Sequence, residues 1–281
     1  PLFNKVNVPI ALLLISLTRV GPLLAWRKAS TNSLKRNFLW PAGLALAGGI
    51  GLYFWGVHHL YAWLSLVMSI FVGVTIAREF YKGARARSYG TGENFIEAVL
   101  NLTLQNTRRY GGYIVHFGFV LLFVGWAGQA FTTDAQGEAG IGDTIALRQF
   151  VLRIEKLGVE DTPNYVSQKA SIGLFEDGKK VAILYPEHRV YKASQQPTTE
   201  VSIWSTLKED VYVVFAAATP DGKKAIVQAY YNPLVMWVWI GGIVLGLGTL
   251  IAMLPNKKST PTKRSKAATR AEEAKEVEVG S

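Results

Sequence analysis

The sequence contains no cysteine among its 281 residues. The chain therefore forms no disulfide and offers neither a thiol nucleophile nor a thiolate metal ligand. Two other catalytic patterns are also missing. The stretch GTGEN lacks the Lys-Ser/Thr pair of a phosphate-binding loop, and the four histidines show no His-Glu-x-x-His spacing. Neither nucleotide-dependent nor zinc-dependent catalysis is indicated.

Charge is also scarce, at 18% of residues, whereas 49% are hydrophobic and 12% aromatic. The apolar residues form long blocks, and about 20 helical residues suffice to cross a hydrocarbon core of ~30 Å. Four blocks reach about that length, and a fifth is shorter and rich in glycine: 8–26, 60–77, 111–131 and 233–254, with 40–57 as the shorter one. The sequence predicts a polytopic α-helical membrane protein with about five transmembrane helices.

Basic residues close to the span ends predict the orientation, because they accumulate on the cytoplasmic side. They cluster between spans one and two, between spans three and four, and after the last span: Arg27, Lys28, Lys35 and Arg36; Arg78, Lys82, Arg85, Arg87, Arg108 and Arg109; Lys257, Lys258, Lys263, Arg264 and Lys266. These three regions are assigned to the cytoplasm. The net charge of +10 then follows from topology, and no nucleic-acid partner is needed to explain it.

Outside the spans, the sequence predicts one folded domain and two cytoplasmic segments. The first 132 residues are assigned to a membrane domain with four spans, followed by an exterior all-β domain over 133–232. Runs such as FVLRIEKL and KVAILY alternate, and Asp177-Gly178 and Asp221-Gly222 are hairpin signals. A polar segment near 92–107 has apolar residues at helical spacing, which indicates an amphipathic helix on the inner surface. The basic tail, 255–281, is predicted to be disordered.

The beginning of the chain carries two further signals. Only Lys5 precedes the first span, which ends in AWRK rather than at a small-residue cleavage site, so we do not interpret it as a cleaved signal peptide. The chain begins at Pro1 without a methionine. We therefore expect the C-terminal part of a longer membrane protein, or one piece of a split one.

Two ionisable residues fall inside the predicted spans. His116 lies seven residues after Arg109, or ~10 Å at 1.5 Å per residue, and Arg19 lies eight residues before Arg27, or ~12 Å. The two are expected at similar depth in the inner half of the bilayer. None of the five spans contains an acid. An ionisable residue at membrane depth is by default a candidate functional site.

Three interpretations of His116 remain open from the residues alone. In the first, the imidazole is neutral and hydrogen-bonded across helices. In the second it is a proton relay, and in the third it is an axial ligand of haem iron. Missing intramembrane carboxylates weigh against the relay. Imidazole is a common haem ligand, and Gly111, Gly112 and Gly118 would allow a macrocycle or another helix to approach.

The remaining cationic and histidine positions have simpler explanations beside a functional one. Arg19 is either a partner of haem propionates or an arginine that reaches the inner headgroups. His58 and His59 lie in the outer turn, where headgroup exposure is favoured over ligand contact. His188 is assigned to a turn or the surface of the β domain.

Three stretches, in order, resemble the CcmF-type cytochrome c haem lyases of the system I maturation pathway: RRYGGYIVHFGFVLLFVGWAGQAF, PEHRVYKASQQPTTEVSIWSTLKEDVYVVF and YNPLVMWVWIGGIVLGLGTLIAML. The NrfE-type lyases share much of this pattern. The resemblance implies that His116 is one axial ligand of a haem b. It also implies that the second axial ligand and the substrate-haem site are not in this chain, and it identifies no catalytic residue here.

The resemblance further implies an activity, partners and a location. Members attach haem to apocytochrome c at Cys-x-x-Cys-His sites on the periplasmic side of the cytoplasmic (inner) membrane. Expected partners are a haem chaperone of the CcmE type, apocytochrome-handling proteins of the CcmH and CcmI types, apocytochrome c, quinol and membrane lipid. A non-catalytic scaffold that recruits maturation partners is the competing hypothesis. A transporter is disfavoured because the predicted spans lack acids.

Overall fold

The computed structural model describes residue 10 and residues 31–219 and 221–257. Apart from residue 10, the predicted span 8–26 lies outside the described residues, as does the tail from residue 258. The chain divides into two compact units. One contains the residues up to Val124 and those from Trp239, and the other is Gly125–Val238.

Five helices are described, namely α1 Thr31–Phe54, α2 Leu60–Thr91, α3 Phe95–Gln105, α4 Thr107–Gly128 and α5 Val235–Met253, with a short 3-10 helix, Gln129–Phe131, after α4. Among the described residues, three helical stretches are long and apolar enough to cross a membrane: Leu60–Thr91, Thr107–Phe131 and Val235–Met253. The apolar part of α1, Phe38–Phe54, is shorter; at 1.5 Å per residue it covers ~25 Å. Four spans were predicted for this part of the chain, and α1 is the one whose apolar part is shorter than the other three.

Helix α2 extends well beyond the predicted span 60–77. It begins after His59, whose Nδ1 accepts a hydrogen bond from the backbone N–H of Ala62 (3.4 Å), and it ends at Gly92. Gly92 adopts a left-handed conformation (φ 79°), and its N–H bonds to the carbonyl of Ser88. Hydropathy marks where apolar residues stop, whereas the helix continues until a residue favours left-handed backbone. The charged stretch after Ala77 is therefore helical.

Helix α3 occupies most of the segment predicted as amphipathic near 92–107. It opens with a capping box, in which Asn94 accepts from the backbone N–H of Glu97 (2.8 Å) and Glu97 accepts from that of Asn94 (3.3 Å). On its surface, Ile96 and Leu100 are exposed. This exposed apolar surface is typical of a helix at a membrane surface.

Helices α4 and α5 make close backbone contact where glycines recur at intervals of seven residues. Seven residues are nearly two turns, so Gly241 and Gly248 lie on one face of α5. A Cβ at Gly248 would lie 2.6 Å from the backbone nitrogen of Val115, and one at Gly118 would lie 2.7 Å from that of Leu245. The close contact is therefore possible only because glycine has no side chain, as is common between membrane helices. We call this contact the glycine seam.

Among the described residues of the second unit there are ten antiparallel strands: β1 Thr133–Gly140, β2 Thr144–Leu147, β3 Phe150–Asp161, β4 Tyr165–Glu176, β5 Lys179–Leu184, β6 Glu187–Tyr191, β7 Pro197–Glu200, β8 Ser202–Ser205, β9 Glu209–Ala218 and β10 Lys224–Pro233. One sheet has the order β1-β10-β9-β8. The other has the order β2-β3-β4-β6-β7, and β5 pairs with β4. Alternating residues of both sheets, such as Leu152 and Val213, form a shared buried core.

The turns explain how these strands are connected. Asp177 and Gly178, predicted as a hairpin turn, have φ of 47° and 76° between β4 and β5, which is the backbone that a two-residue hairpin requires. Arg148, between β2 and β3, also has a positive φ of 53°; no sequence signal marked it. The predicted fold class, a helical membrane protein with a small β domain before its last helix, is confirmed by these two units.

Candidate functional site

His116 is a half-buried side chain within α4. At 100° per residue, Arg109, Tyr113 and His116 fall within about 60° of one another on the helix circumference. Gly118, which packs against α5, lies on the opposite side of α4 by the same geometry. The glycine seam thus turns His116 away from α5.

The face of α4 that carries His116 packs against α2. Hydrogen bonds join the helices near both ends of this contact: Ser65 Oγ donates to the carbonyl of Phe123 (3.2 Å), and Arg109 Nη2 donates to Glu79 Oε2 (3.0 Å). Between these two bonds, an antiparallel register places Val72, 1% exposed, at the level of His116. We call this contact the α2–α4 seam. It fixes the depth of His116 relative to the polar groups of α2.

A carboxylate that the sequence analysis missed lies on this seam. Glu79 Oε2 accepts from Arg109 and is 3.5 Å from the hydroxyl of Tyr113, and Arg109 Nε donates to that hydroxyl (3.2 Å). The predicted span ended at Ala77, so Glu79 was assigned to a cytoplasmic loop. The helical spacing of Ser65, Ser69, Val72, Ile76 and Glu79 would have revealed it, because these positions share one face.

The surroundings of His116 are compatible with an axial ligand of haem. Of the three glycines expected to allow close approach, Gly111 and Gly118 are occupied by α5, whereas a Cβ at Gly112 would meet no atom within 4 Å. Gly112 lies one turn before His116 on the same side of α4. Ser69, 3% exposed, has a hydroxyl without a hydrogen-bond partner among the described residues. Gly112 thus leaves space on the side of α4 that carries His116, and Ser69 lies on α2 about one turn from the level of His116.

The other histidines do not supply a second ligand at this site. His59 caps α2, and His58 packs edge-on against the Tyr53 ring at 4.9 Å. Through the contact between Ser65 and Phe123, the outer histidines are separated from His116 by ~20 Å along the helices. His188 belongs to the β unit. Arg19, the predicted propionate partner, lies outside the described residues.

The β unit carries a separate network of charges on β4 and β6. Glu187 accepts from Ser167 (2.9 Å) and Arg189 (2.9 Å), and Lys169 forms an ion pair with it (3.2 Å). Burial on its own raises the pKa of the Glu187 carboxyl, but these donors together bring it below its usual value. At Asp210 the balance is reversed: burial raises the pKa, and a hydrogen bond with Ser205 only partly opposes it.

Comparisons with known proteins show which proteins this chain is similar to. A family model described as the CcmF C-terminal beta-sandwich matches residues 130–233. Two curated relatives, both named cytochrome c-type biogenesis protein CcmF, are similar over most of the chain. The Haemophilus influenzae protein is 26% identical over 91% of this chain and 38% of its own length, and the Pseudomonas aeruginosa protein is 27% identical over 98% and 40%.

A NrfE-type cytochrome c-type biogenesis protein of Escherichia coli is 31% identical over 52% of this chain and 26% of its own length. A solved structure of the cytochrome c heme lyase CcmF superposes with a TM-score of 0.73 at 23% identity, covering 91% of this chain and 40% of that one. This likeness supports the fold. The chain spans about two fifths of the length of the CcmF relatives it matches. The resemblance seen in the sequence is confirmed: this chain is similar to the C-terminal part of CcmF-type cytochrome c biogenesis proteins.

Proposed function

We propose that this chain is part of a membrane haem lyase of cytochrome c biogenesis, in which His116 is an axial ligand of a transmembrane haem b. The observation that carries the proposal is a half-buried imidazole within a membrane-length helix, beside an open glycine, Gly112. The relatives named for cytochrome c biogenesis support the pathway.

Residues of this chain have distinct roles at this site. The glycine seam holds the rotation of α4, and the α2–α4 seam holds its depth, so His116 is presented in a fixed orientation. Ser69 offers a hydroxyl donor on the facing helix. Haem bound to an imidazole supplies a one-electron centre inside the membrane. Arg19 is the proposed partner of its propionates.

The wider role is part of the same proposal; the names of the relatives support cytochrome c biogenesis, and the resemblance seen in the sequence suggests the rest. The whole protein attaches haem covalently to apocytochrome c at Cys-x-x-Cys-His sites and works with CcmE-type, CcmH-type and CcmI-type proteins, with quinol as electron donor. The protein lies in the cytoplasmic membrane with its β unit on the periplasmic side. The β unit, joined to α4 and α5 at its two ends, is the proposed docking surface for these partners.

The test compares the haem content of the purified natural-length protein with that of three variants. We expect His116→Ala to lose the b-type absorption band, because an axial ligand is removed. His58→Ala and His188→Ala are the matched controls and should retain the band. An unchanged spectrum in His116→Ala would exclude the ligand role. A wild-type protein without haem that still co-purifies with maturation partners would favour the non-catalytic scaffold.

A further inference from the structure

The ion pair between Glu79 and Arg109 lies on the α2–α4 seam, about two turns from the level of His116. The carboxylate and the guanidinium are 3.0 Å apart, and the Glu79 side chain is only 19% exposed. Tyr113, 7% exposed, bonds to Arg109 (3.2 Å) and lies 3.5 Å from the carboxylate. The pair is thus held in place by both helices.

The helix geometry places this pair near His116. Tyr113 precedes His116 by three residues, or ~4.5 Å along the axis, and Arg109 precedes it by seven, or ~10 Å. All three project from the same side of α4. Glu79 is level with Arg109 and Tyr113 because it contacts both. A group bound by His116 would therefore lie about 10 Å from a fixed negative and a fixed positive charge.

The medium between the pair and His116 is apolar. Val72, Ile76 and Tyr110 are each less than 5% exposed and belong to one buried cluster with Tyr113. Charges act strongly through such a region because water does not screen them. At an effective dielectric constant of about 20, a unit charge ~10 Å from a one-electron centre changes its oxidised-to-reduced ratio by roughly tenfold at a fixed potential.

We propose that Glu79 and Arg109 form a pair of opposed charges that sets the reduction potential of the haem ligated by His116, an inference that rests on the proposed function of His116. The negative carboxylate favours the oxidised iron, and the guanidinium favours the reduced iron. Their effects on the potential oppose each other and partly cancel, so the pair holds the potential at an intermediate value. Neither residue contacts the iron; each acts through its charge alone.

The experiment is a redox titration of the natural-length protein and its variants, followed by optical spectroscopy of the haem. Glu79→Gln leaves Arg109 uncompensated and is expected to raise the potential by up to about 59 mV, the value of a tenfold change for one electron. Arg109→Gln leaves the carboxylate and is expected to lower it, by less because the guanidinium is 60% exposed and better screened. The potential of the double variant should lie between the potentials of the two single variants.

A second ion pair of the same unit provides the control. Arg87 and Glu93 are 2.6 Å apart, and Arg87 lies eight residues beyond Glu79 on α2, or ~12 Å further from His116. Arg87→Gln and Glu93→Gln should leave the potential unchanged. A purely structural disturbance would not give shifts of opposite sign, whereas a charge effect requires them.

The outcomes separate this inference from the proposal on which it rests. If His116→Ala keeps the wild-type haem spectrum, His116 is not the ligand and both fail. If His116→Ala loses the haem, but Glu79→Gln and Arg109→Gln leave the potential unchanged or shift it in the same direction, the charge-pair inference fails and the ligand assignment stands.

Discussion

At the scale of single residues, Asp210 and Glu187 show that burial and hydrogen-bond donors shift the pKa of a carboxyl group in opposite directions. Asp210 is 8% exposed, and its Oδ1 has no hydrogen-bond partner among the described residues. Burial raises the pKa of this carboxyl, so the folded pKa exceeds the unfolded one. The contribution of Asp210 to folding stability is therefore fully present below the unfolded pKa and is lost as pH rises through the folded pKa.

We expect Asp210→Asn to stabilise β9 at neutral pH by about 1 kcal/mol, because a buried charge without full hydrogen bonding is removed. The gain should shrink as pH falls through the folded pKa of Asp210. Amide hydrogen exchange of β9 in the intact protein, corrected for intrinsic rates, measures this. A gain that stays constant from neutral to acid pH would contradict it.

Glu187→Gln is the matched variant, and its effect on stability at neutral pH should have the opposite sign. Although burial opposes them, donors such as Arg189 lower the pKa of Glu187, so its stabilising contribution is present above the unfolded pKa and lost as pH falls through the folded pKa. Removing the charge should cost about 1–3 kcal/mol at neutral pH, since hydrogen bonds to a charged group are lost. This loss of stability should disappear at a pH below the folded pKa of Glu187.

At this scale the sequence revealed His116 and Arg109 but not the carboxylate of Glu79. A single ionisable residue in an apolar run is visible from composition alone. Glu79 was missed because it follows the apolar block and is brought to the level of Tyr113 only by the continuation of α2. Contacts between residues 34 positions apart depend on how helices pack, which spacing within one helix does not specify.

The glycine seam is the feature that matters most at the scale of elements, because it sets the orientation of α4. We expect Gly248→Ala to destabilise the protein by about 1–3 kcal/mol, the usual cost of overpacking. Its Cβ would lie 2.6 Å from the backbone nitrogen of Val115, so one helix must move. Thermal unfolding of the purified protein in detergent measures the change.

Gly246→Ala provides the control on the same helix, since a Cβ there would meet nothing within 4 Å. It should be neutral, or stabilising by up to about 1 kcal/mol, because alanine is the better helix former. Equal effects of the two substitutions would show that α5 does not pack on α4 through this face. Loss of haem in Gly248→Ala only would further tie the seam to the orientation of His116.

The sequence predicted the elements better than their ends. Alternation in FVLRI matched the burial of β3, in which Phe150, Leu152 and Ile154 are buried. By contrast, the end of α2 is set by Gly92 and not by the first charge, and the turn at Arg148 uses a strained backbone that no turn residue announced. Ends depend on one or two backbone conformations, whereas elements are specified repeatedly along their length.

At the scale of the whole molecule, the missing cysteines make the membrane orientation directly measurable. We expect a cysteine at Ser194, exposed beyond β6, to react with a membrane-impermeant thiol reagent added to intact spheroplasts. A cysteine at Tyr89, 88% exposed near the end of α2, should react only after permeabilisation. Because these 281 residues contain no cysteine, each label placed in them reports one position once any cysteine elsewhere in the natural-length protein is replaced. Reaction of both residues from the same side would overturn the predicted topology.

The central claim is that His116 binds haem iron, and an experimental density map of the natural-length protein tests it most directly. We expect a planar density beside α4 with its iron within bonding distance of an imidazole nitrogen of His116, on the side of the helix that carries Gly112. The Glu79–Arg109 pair should lie about 10 Å from that iron. A haem ligated by other residues, or a map in which the His116 imidazole contacts only neighbouring helices, would contradict the claim.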